Sequence, residues 1–329
     1  MHTRRAVLAA VAANIGSPLL GLNLAIAEPA SKVARLVVPF PAGGGTDVVA
    51  RLLGQRIRNH FPRGIVIDNR PGASGRLGAE LVRASDPDGS TMLIVPDFVM
   101  TIFPHIFPKL TYNPIQDFAP VALCSKTGYA VSAGPGLPES VTTFAQFVAW
   151  CKANPKKASF ASTSAGAASH FIGLMLSKAI GAELLHVPYK GGAPALQALM
   201  SGEVSVSINT IGEVMPQLAS GRVRVLATTT ARRSRFLPDV PTLVENGLNA
   251  MDIETWVGVL VPARTPPDKV REMAGWFNAA LQDADVRKGL SDAAMESVQS
   301  TPAGFAATIK SDIERWAPVV RASGFTAEE

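Results

Sequence analysis

The sequence predicts an α/β fold of two lobes, each a mainly parallel sheet with helices on its faces. Three observations lead there. Strand-length apolar runs alternate with helix-spaced ones in the order β-α-β-α-β over the first third of the chain. A second block, opening near Tyr129, repeats that alternation. In each block a loop of small residues, 39–47 and 162–170, joins a strand to a helix, where open α/β sheets gather their ligands.

Leu36-Val37-Val38 reads as a buried strand. Val48, Val49, Leu52, Leu53 and Ile57 fall on one face of a helix. Between them, Pro39-Phe40-Pro41-Ala42-Gly43-Gly44-Gly45-Thr46-Asp47 is a strand-to-helix turn. Unpaired N–H groups there meet the positive end of the helix dipole, and glycine lets a ligand come close. Two readings stand: a cradle for an anionic group, and a tight turn that needs positive φ. A nucleotide P-loop is a poor fit, because Thr46-Asp47 stands where Gly-Lys-Ser/Thr would end it.

Ile65-Val66-Ile67-Asp68 is the next strand, followed by the glycine-rich turn Asn69-Arg70-Pro71-Gly72-Ala73-Ser74-Gly75. Leu77, Ala79, Leu81 and Val82 mark a helix ending before the turn Asp86-Pro87-Asp88-Gly89, and residues 91–95 form a strand. Residues 98–120 carry Phe103-Pro104, Phe107-Pro108 and Asn113-Pro114, which predict a surface passage in extended or turn conformation. It leads to a crossing strand, Val121-Ala122-Leu123.

The second block predicts strands at 129–132, 159–161, 184–187, 204–209 and 222–228. Helices fall at 144–151, from 170 onward, and at 193–200 and 213–219. The tail adds a strand at 256–261, a helix after Pro266-Pro267-Asp268, and two further helices that cover the first lobe.

The N-terminus reads as a cleaved export signal over residues 1–27. Arg4-Arg5 precede an apolar stretch to Leu24, and Ala25-Ile26-Ala27 fits small-x-small cleavage. The Sec route is expected, with Thr3-Arg4-Arg5-Ala6-Val7-Leu8 a partial twin-arginine match. Gly16, Ser17, Pro18 and Asn23 interrupt the apolar run, and no Cys stands at the cleavage point to take a lipid. A soluble exported chain beginning near Glu28 is expected.

Hydrophobic residues make up 47% of the 329, enough for a packed core. The net charge of +5 falls to +3 without Arg4 and Arg5. So mild a balance, with few aromatics, argues against nucleic acid. Cys124 and Cys151 are the two cysteines, either joined or two small buried residues. His2, His60, His105, His170 and His186 lack metal-ligand spacing, so neither metal nor cofactor is expected. No Gly-x-Ser-x-Gly elbow is present. Ser164 or Ser169 with His170 is the one hydrolase pairing to weigh, without an acid that the pattern positions. Asp97 and Asp117 read as solvated or capping side chains. Lys190 reads as a carboxylate contact at the cleft or as a solvated turn lysine.

Together the motifs resemble those of the Bug, or TctC-like, extracytoplasmic solute receptors of tripartite tricarboxylate transporters. Val37-Val38-Pro39-Phe40-Pro41-Ala42-Gly43-Gly44-Gly45-Thr46-Asp47 is similar to the first family signature. Asp68-Asn69-Arg70-Pro71-Gly72-Ala73-Ser74-Gly75 with Gly78-Ala79-Glu80 is similar to the second. Asp86-Pro87-Asp88-Gly89, His186-Val187-Pro188-Tyr189-Lys190-Gly191-Gly192 and Leu237-Pro238-Asp239-Val240-Pro241-Thr242 follow in the family's order.

The resemblance implies a type II periplasmic-binding-protein fold, with two α/β lobes joined by two crossing strands around a ligand cleft. The lobes would be 28–124 with 228–329, and 125–227. It implies a small organic carboxylate held by main-chain N–H groups and ordered water. The ligand-binding residues by motif match are Phe40, Ala42, Gly43, Gly44, Thr46 and Asp47 in one loop, and Ser162, Thr163, Ser164, Ala165, Gly166 and His170 in the other. Lys190 and Asn209 complete the set. The implied partners are the transporter's permease subunits or, alternatively, a sensor ectodomain, with the receptor a monomer in the periplasm. The second loop departs from the family's aromatic-x-Ser-x-Gly-x-Gly-Ser-x-x-His. Ser164 replaces a glycine and Ala167 a serine, and Ser205 and Asn209 stand where Asp is common.

Overall fold

The computed structural model describes residues 32–327, so the expected export signal lies outside the described residues. The first block forms β1 (Ala34–Val38), α1 (Gly45–Ile57), β2 (Ile65–Asn69), α2 (Arg76–Arg83) and β3 (Thr91–Pro96). β1 is the middle strand, parallel to both others, with Leu36 opposite Ile67 and Met92. Two short helices follow, α3 (Asp97–Thr101) and α4 (Phe103–Ile106), then the long strand β4 (Phe118–Ala133). The second block comprises α5 (Phe144–Ala153), β5 (Ser159–Ser162), α6 (Ala168–Ile180), β6 (Leu185–Pro188) and α7 (Gly192–Ser201). It closes with β7 (Val206–Thr210), α8 (Ile211–Leu218) and β8 (Arg224–Thr228). The tail adds β9 (Glu254–Pro262), α9 (Pro267–Gln282), α10 (Ala284–Asp292), β10 (Glu296–Ser297) and α11 (Pro302–Ser323).

The strands run in the order β2-β1-β3-β9-β4-β7-β5-β6, with β8 and β10 also pairing with β4. β4 belongs to both halves. From Phe118 to Gly128 it pairs with β9; from Tyr129 to Ala133 it pairs with β7. The strands expected separately at 121–123 and 129–132 are therefore one. The polar stretch between them looked like a break, yet its side chains are satisfied inside. Thr127 Oγ1 donates to the Ala294 carbonyl at 2.9 Å, and Ser125 is buried beside Met295. The return crossing meets β4 at the hand-off. Tyr129 N–H donates to Thr229 Oγ1 at 2.9 Å, and Thr229 N–H donates back to the Tyr129 carbonyl at 2.9 Å.

Residues 98–107 correct the first part of the expected surface passage, while the second keeps to it, with Pro108, Lys109, Thr111, Asn113, Ile115 and Gln116 exposed between α4 and β4. Val99, Met100, Ile102, Phe103, Ile106, Phe107, Tyr112 and Phe118 are buried. Pro104 sits in the first turn of α4, where a missing N–H costs nothing. Phe98, Phe103 and Phe107 stack edge to face at 5.5 and 5.0 Å. Phe103 and Phe107, buried this fully, each contribute roughly 1.5–3 kcal/mol, which outweighs the proline signal for an exposed turn. These residues join one continuous core with Phe160 and Phe171 of the second block and Trp316 of α11. Cys124 and Cys151 are free, buried thiols.

Candidate functional site

The first loop ends on α1, whose N-cap is Gly44 with no side-chain cap. The N–H groups of its first turn are therefore offered outward, at the positive end of the helix dipole. Residues 41–45 are exposed, Thr46 is half-buried, and Phe40 packs against Phe98 at 5.9 Å. Of the three glycines, Gly43 alone has positive φ, +88°. The turn reading thus accounts for Gly43, and the cradle reading is left with Gly44 and Gly45.

Asp47 turns away from this cradle. Its carboxylate is 2% exposed and accepts from Gly43 N–H at 2.9 Å, Arg51 Nε at 2.8 Å and Asn69 Nδ2 at 2.9 Å. Burial alone would raise its pKa. The bonds from Arg51, Gly43 and Asn69 outweigh that and hold it below the usual carboxylate value. Its charge is thus paired and internal. Asn69 also donates to the Phe40 carbonyl at 3.1 Å, so the second signature fixes the shape of the first.

The second loop runs from β5 to α6. Ser162 is fully buried. Its hydroxyl lies 2.7 Å from His186 Nε2 and 3.1 Å from the Ser164 carbonyl. One hydroxyl proton serves one acceptor; donated to Ser164, it leaves His186 to donate from Nε2. Thr163 is half-buried, while Ser164 and Ala165 are exposed. Gly166, at φ +81°, donates its N–H to His170 Nδ1 at 3.2 Å. The His170 and His186 rings stack with centroids 3.9 Å apart. Burial pushes both down to about 4, aided at His186 by the charge its neighbour would carry, so both are neutral near pH 7.

The hydrolase pairing does not form. Ser169 Oγ is held by Thr163 N–H and Thr163 Oγ1, each at 3.1 Å, and His170 Nδ1 is occupied by Gly166. The contact that does form pairs the buried Ser162 with the half-buried His186.

Ala167 is the N-cap of α6 and supplies no side-chain cap. A serine, which the family pattern carries there, would accept from the first-turn N–H groups. Ala167→Ser is expected to add about 1 kcal/mol of stability, read as a higher urea midpoint at unchanged m. An unchanged midpoint would show those N–H groups to be satisfied already.

Lys190 is exposed in the turn beside this loop, whose backbone ties it there: Tyr189 N–H reaches the Ser162 carbonyl at 3.0 Å and Gly191 N–H the Thr163 carbonyl at 2.7 Å. Asn209 is fully buried. Its Nδ2 serves Glu213 at 3.2 Å and the Gly192 carbonyl at 3.4 Å, and its Oδ1 accepts from Ser207 at 2.5 Å. Ser205 likewise faces inward, bonded to Ser159 and to the Lys157 carbonyl. Asn209 therefore leaves no polar atom for a ligand, and Ser205 lies beside the start of β5, the opposite end of that strand from the loop.

Sequence reasoning did not pick out Phe98, Ile106, His186 or Phe325, which pack around the two loops. It also read Asp97 as a solvated or capping side chain. Asp97 is 2% exposed at the carboxyl end of β3 and accepts from Thr255 Oγ1 at 2.5 Å. A lone acid ahead of an aromatic helix turn gives no local signal of burial.

Over residues 49–325 the chain matches the family described as Tripartite tricarboxylate transporter family receptor. It is similar to the periplasmic binding protein BugD, with TM-score 0.76 and 30% identity over 90% of this chain and 98% of that one. It is similar to MatC from Rhodopseudomonas palustris with bound malate, with TM-score 0.76 and 31% identity over 88% of this chain and 98% of that one. It is also similar to R. palustris Rpa4515 with adipate, with TM-score 0.80 and 30% identity over 89% and 98%. The shared strand β4, the return crossing beside it and these likenesses converge: the chain has the two-lobed periplasmic-binding-protein fold and belongs to the tripartite tricarboxylate transporter receptor family of Bug and TctC-like proteins.

Proposed function

We propose that this chain captures a small organic carboxylate in the periplasm and hands it, chemically unchanged, to the permease subunits of a tripartite tricarboxylate transporter. The observation that carries the reading is the uncapped N-terminus of α1 beneath an exposed glycine loop. Such an end binds anions through its N–H groups and dipole, with no arginine required. MatC with malate and Rpa4515 with adipate support a dicarboxylate.

In this proposal the contacts come from Phe40, Ala42, Gly44, Gly45 and Thr46 on one side, with Gly43 shaping the turn, and from Thr163, Ser164, Ala165 and Lys190 on the other. Asp47, Ser162, Gly166, His170 and Asn209 shape the walls from behind. The lobes are 28–124 with 228–329, and 125–227, closing about the strands that meet at Tyr129 and Thr229. Residues 1–27 direct export and are then removed, and the receptor acts as a monomer without catalysis.

Thermal melting against mono-, di- and tricarboxylates tests the reading. A ligand present at about 100 times its Kd adds about 2.7 kcal/mol of stability and raises the Tm visibly. If no carboxylate moves the melt, and protein purified from its own periplasm carries none by native mass spectrometry, the proposal is wrong.

A further inference from the structure

We propose that Phe325, beyond the end of α11, is a positioning residue for the second ligand loop: with Ile106 of α4 it clamps the left-handed turn at Gly166. The inference rests on the functional reading above and extends it to residues outside both loops.

The contact is tight. A Cβ on Gly166 would lie 2.9 Å from Phe325 Cε1 and 3.1 Å from Ile106 Cδ1, so ring and methyl are seated directly on the loop backbone. The same ring meets His170 edge-on at 5.2 Å and Phe171 at 6.0 Å. His170 in turn accepts the Gly166 N–H. Phe325 therefore braces the turn and also the side chain that holds its amide.

The tail is itself held in place. Gly324 ends α11 in the left-handed conformation, and Phe325 N–H donates to Ser323 Oγ at 3.1 Å. Two residues on, Ala327 N–H donates to the Ile106 carbonyl at 2.9 Å. The residue that anchors the tail is thus the one whose methyl touches Gly166. Ordering a chain end costs conformational entropy, and here that cost is met by contacts to the ligand loop and the segment beneath it. A loop held before the ligand arrives loses less freedom on binding, which raises affinity.

The test compares Phe325→Ala and Phe325→Leu with wild type in the full mature chain. Amide hydrogen exchange is followed in ligand-free protein, and succinate, malate and adipate are titrated by calorimetry. Phe325→Ala is expected to speed exchange at 163–170 by on the order of tenfold, leave 40–47 unchanged, and weaken carboxylate binding by a similar factor. Phe325→Leu, which keeps an apolar side chain over Gly166, is expected to recover most of both. Unchanged exchange at 163–170, or an equal rise across the whole chain, overturns the positioning role. If wild type binds none of the three acids while Phe325→Ala still loosens that loop alone, the positioning role stands and the carboxylate reading falls.

Discussion

Gly44→Val is expected to abolish carboxylate capture, with at least a hundredfold loss of affinity, while leaving the fold nearly intact. Gly44 has φ −77° and ψ 167°, extended backbone that valine adopts without strain. A Cβ there would meet the Pro41 carbonyl at 3.8 Å and nothing closer. Its neighbours do not allow so clean a test. At Gly43 any side chain is strained by φ +88°, and at Gly45 a Cβ would press on Met295 Cε at 2.8 Å. The folding cost at Gly44 is that of a poorer N-cap, on the order of 0.5–1 kcal/mol. The binding cost is larger, because two methyl groups occupy the space through which an anion approaches the first-turn N–H groups. Calorimetric titration beside urea unfolding separates the two. Parallel losses in both would reduce the glycines to a turn device.

Removing the charge from Asp97 is expected to change how stability depends on pH. Burial pushes this carboxyl up to about 7, a rise reinforced by nearby Asp312 and offset in part by the Thr255 hydroxyl. The unfolded chain holds it at its ordinary 3.8, so the folded state keeps the proton more tightly. Its contribution to stability is complete below that value and is lost as pH rises through about 7. At 1.36 kcal/mol per pKa unit the loss is roughly 4 kcal/mol. Asparagine retains an oxygen for Thr255 and carries no charge. Asp97→Asn should match wild type in acid and exceed it by roughly 4 kcal/mol near pH 8.

The two histidines run the other way. Each is held at about 4 in the fold against 6.5 when free, so their contribution is complete above 6.5 and is lost as pH falls through about 4. In wild type the opposed slopes overlap and flatten the profile. In Asp97→Asn the histidine slope is no longer opposed by Asp97, and stability should climb more steeply with pH across that window than in wild type. Urea midpoints over a pH series measure it; a variant that tracks wild type throughout would mean Asp97 is ionised in the fold.

How much of this was legible in the sequence follows from the range of each interaction. Strand and helix periods are local, so the first βαβαβ block, the second block and both small-residue loops could be read from spacing. The exposed glycine turn ahead of α1 was legible for the same reason: it depends on neighbours within a few residues. The break expected near 124–128 was a local inference that failed, because Ser125 and Thr127 find partners at Met295 and Ala294, far along the chain.

The chain alone determined the fold class, the two loops and the absence of an obvious catalytic pattern. Tertiary structure decided which polar residues of the two loops are exposed and which face inward. Asp47, Ser162 and Asn209 have the right chemistry for a ligand contact, yet their polar atoms are engaged within the protein, as is Nδ1 of His170. It also turned 98–107, the first part of the surface passage expected over 98–120, into a buried link between the loops, and brought Phe325 onto Gly166. The reason is physical: burial and pairing depend on what packs from distant parts of the chain, and a buried polar group is stable only when such partners are in place.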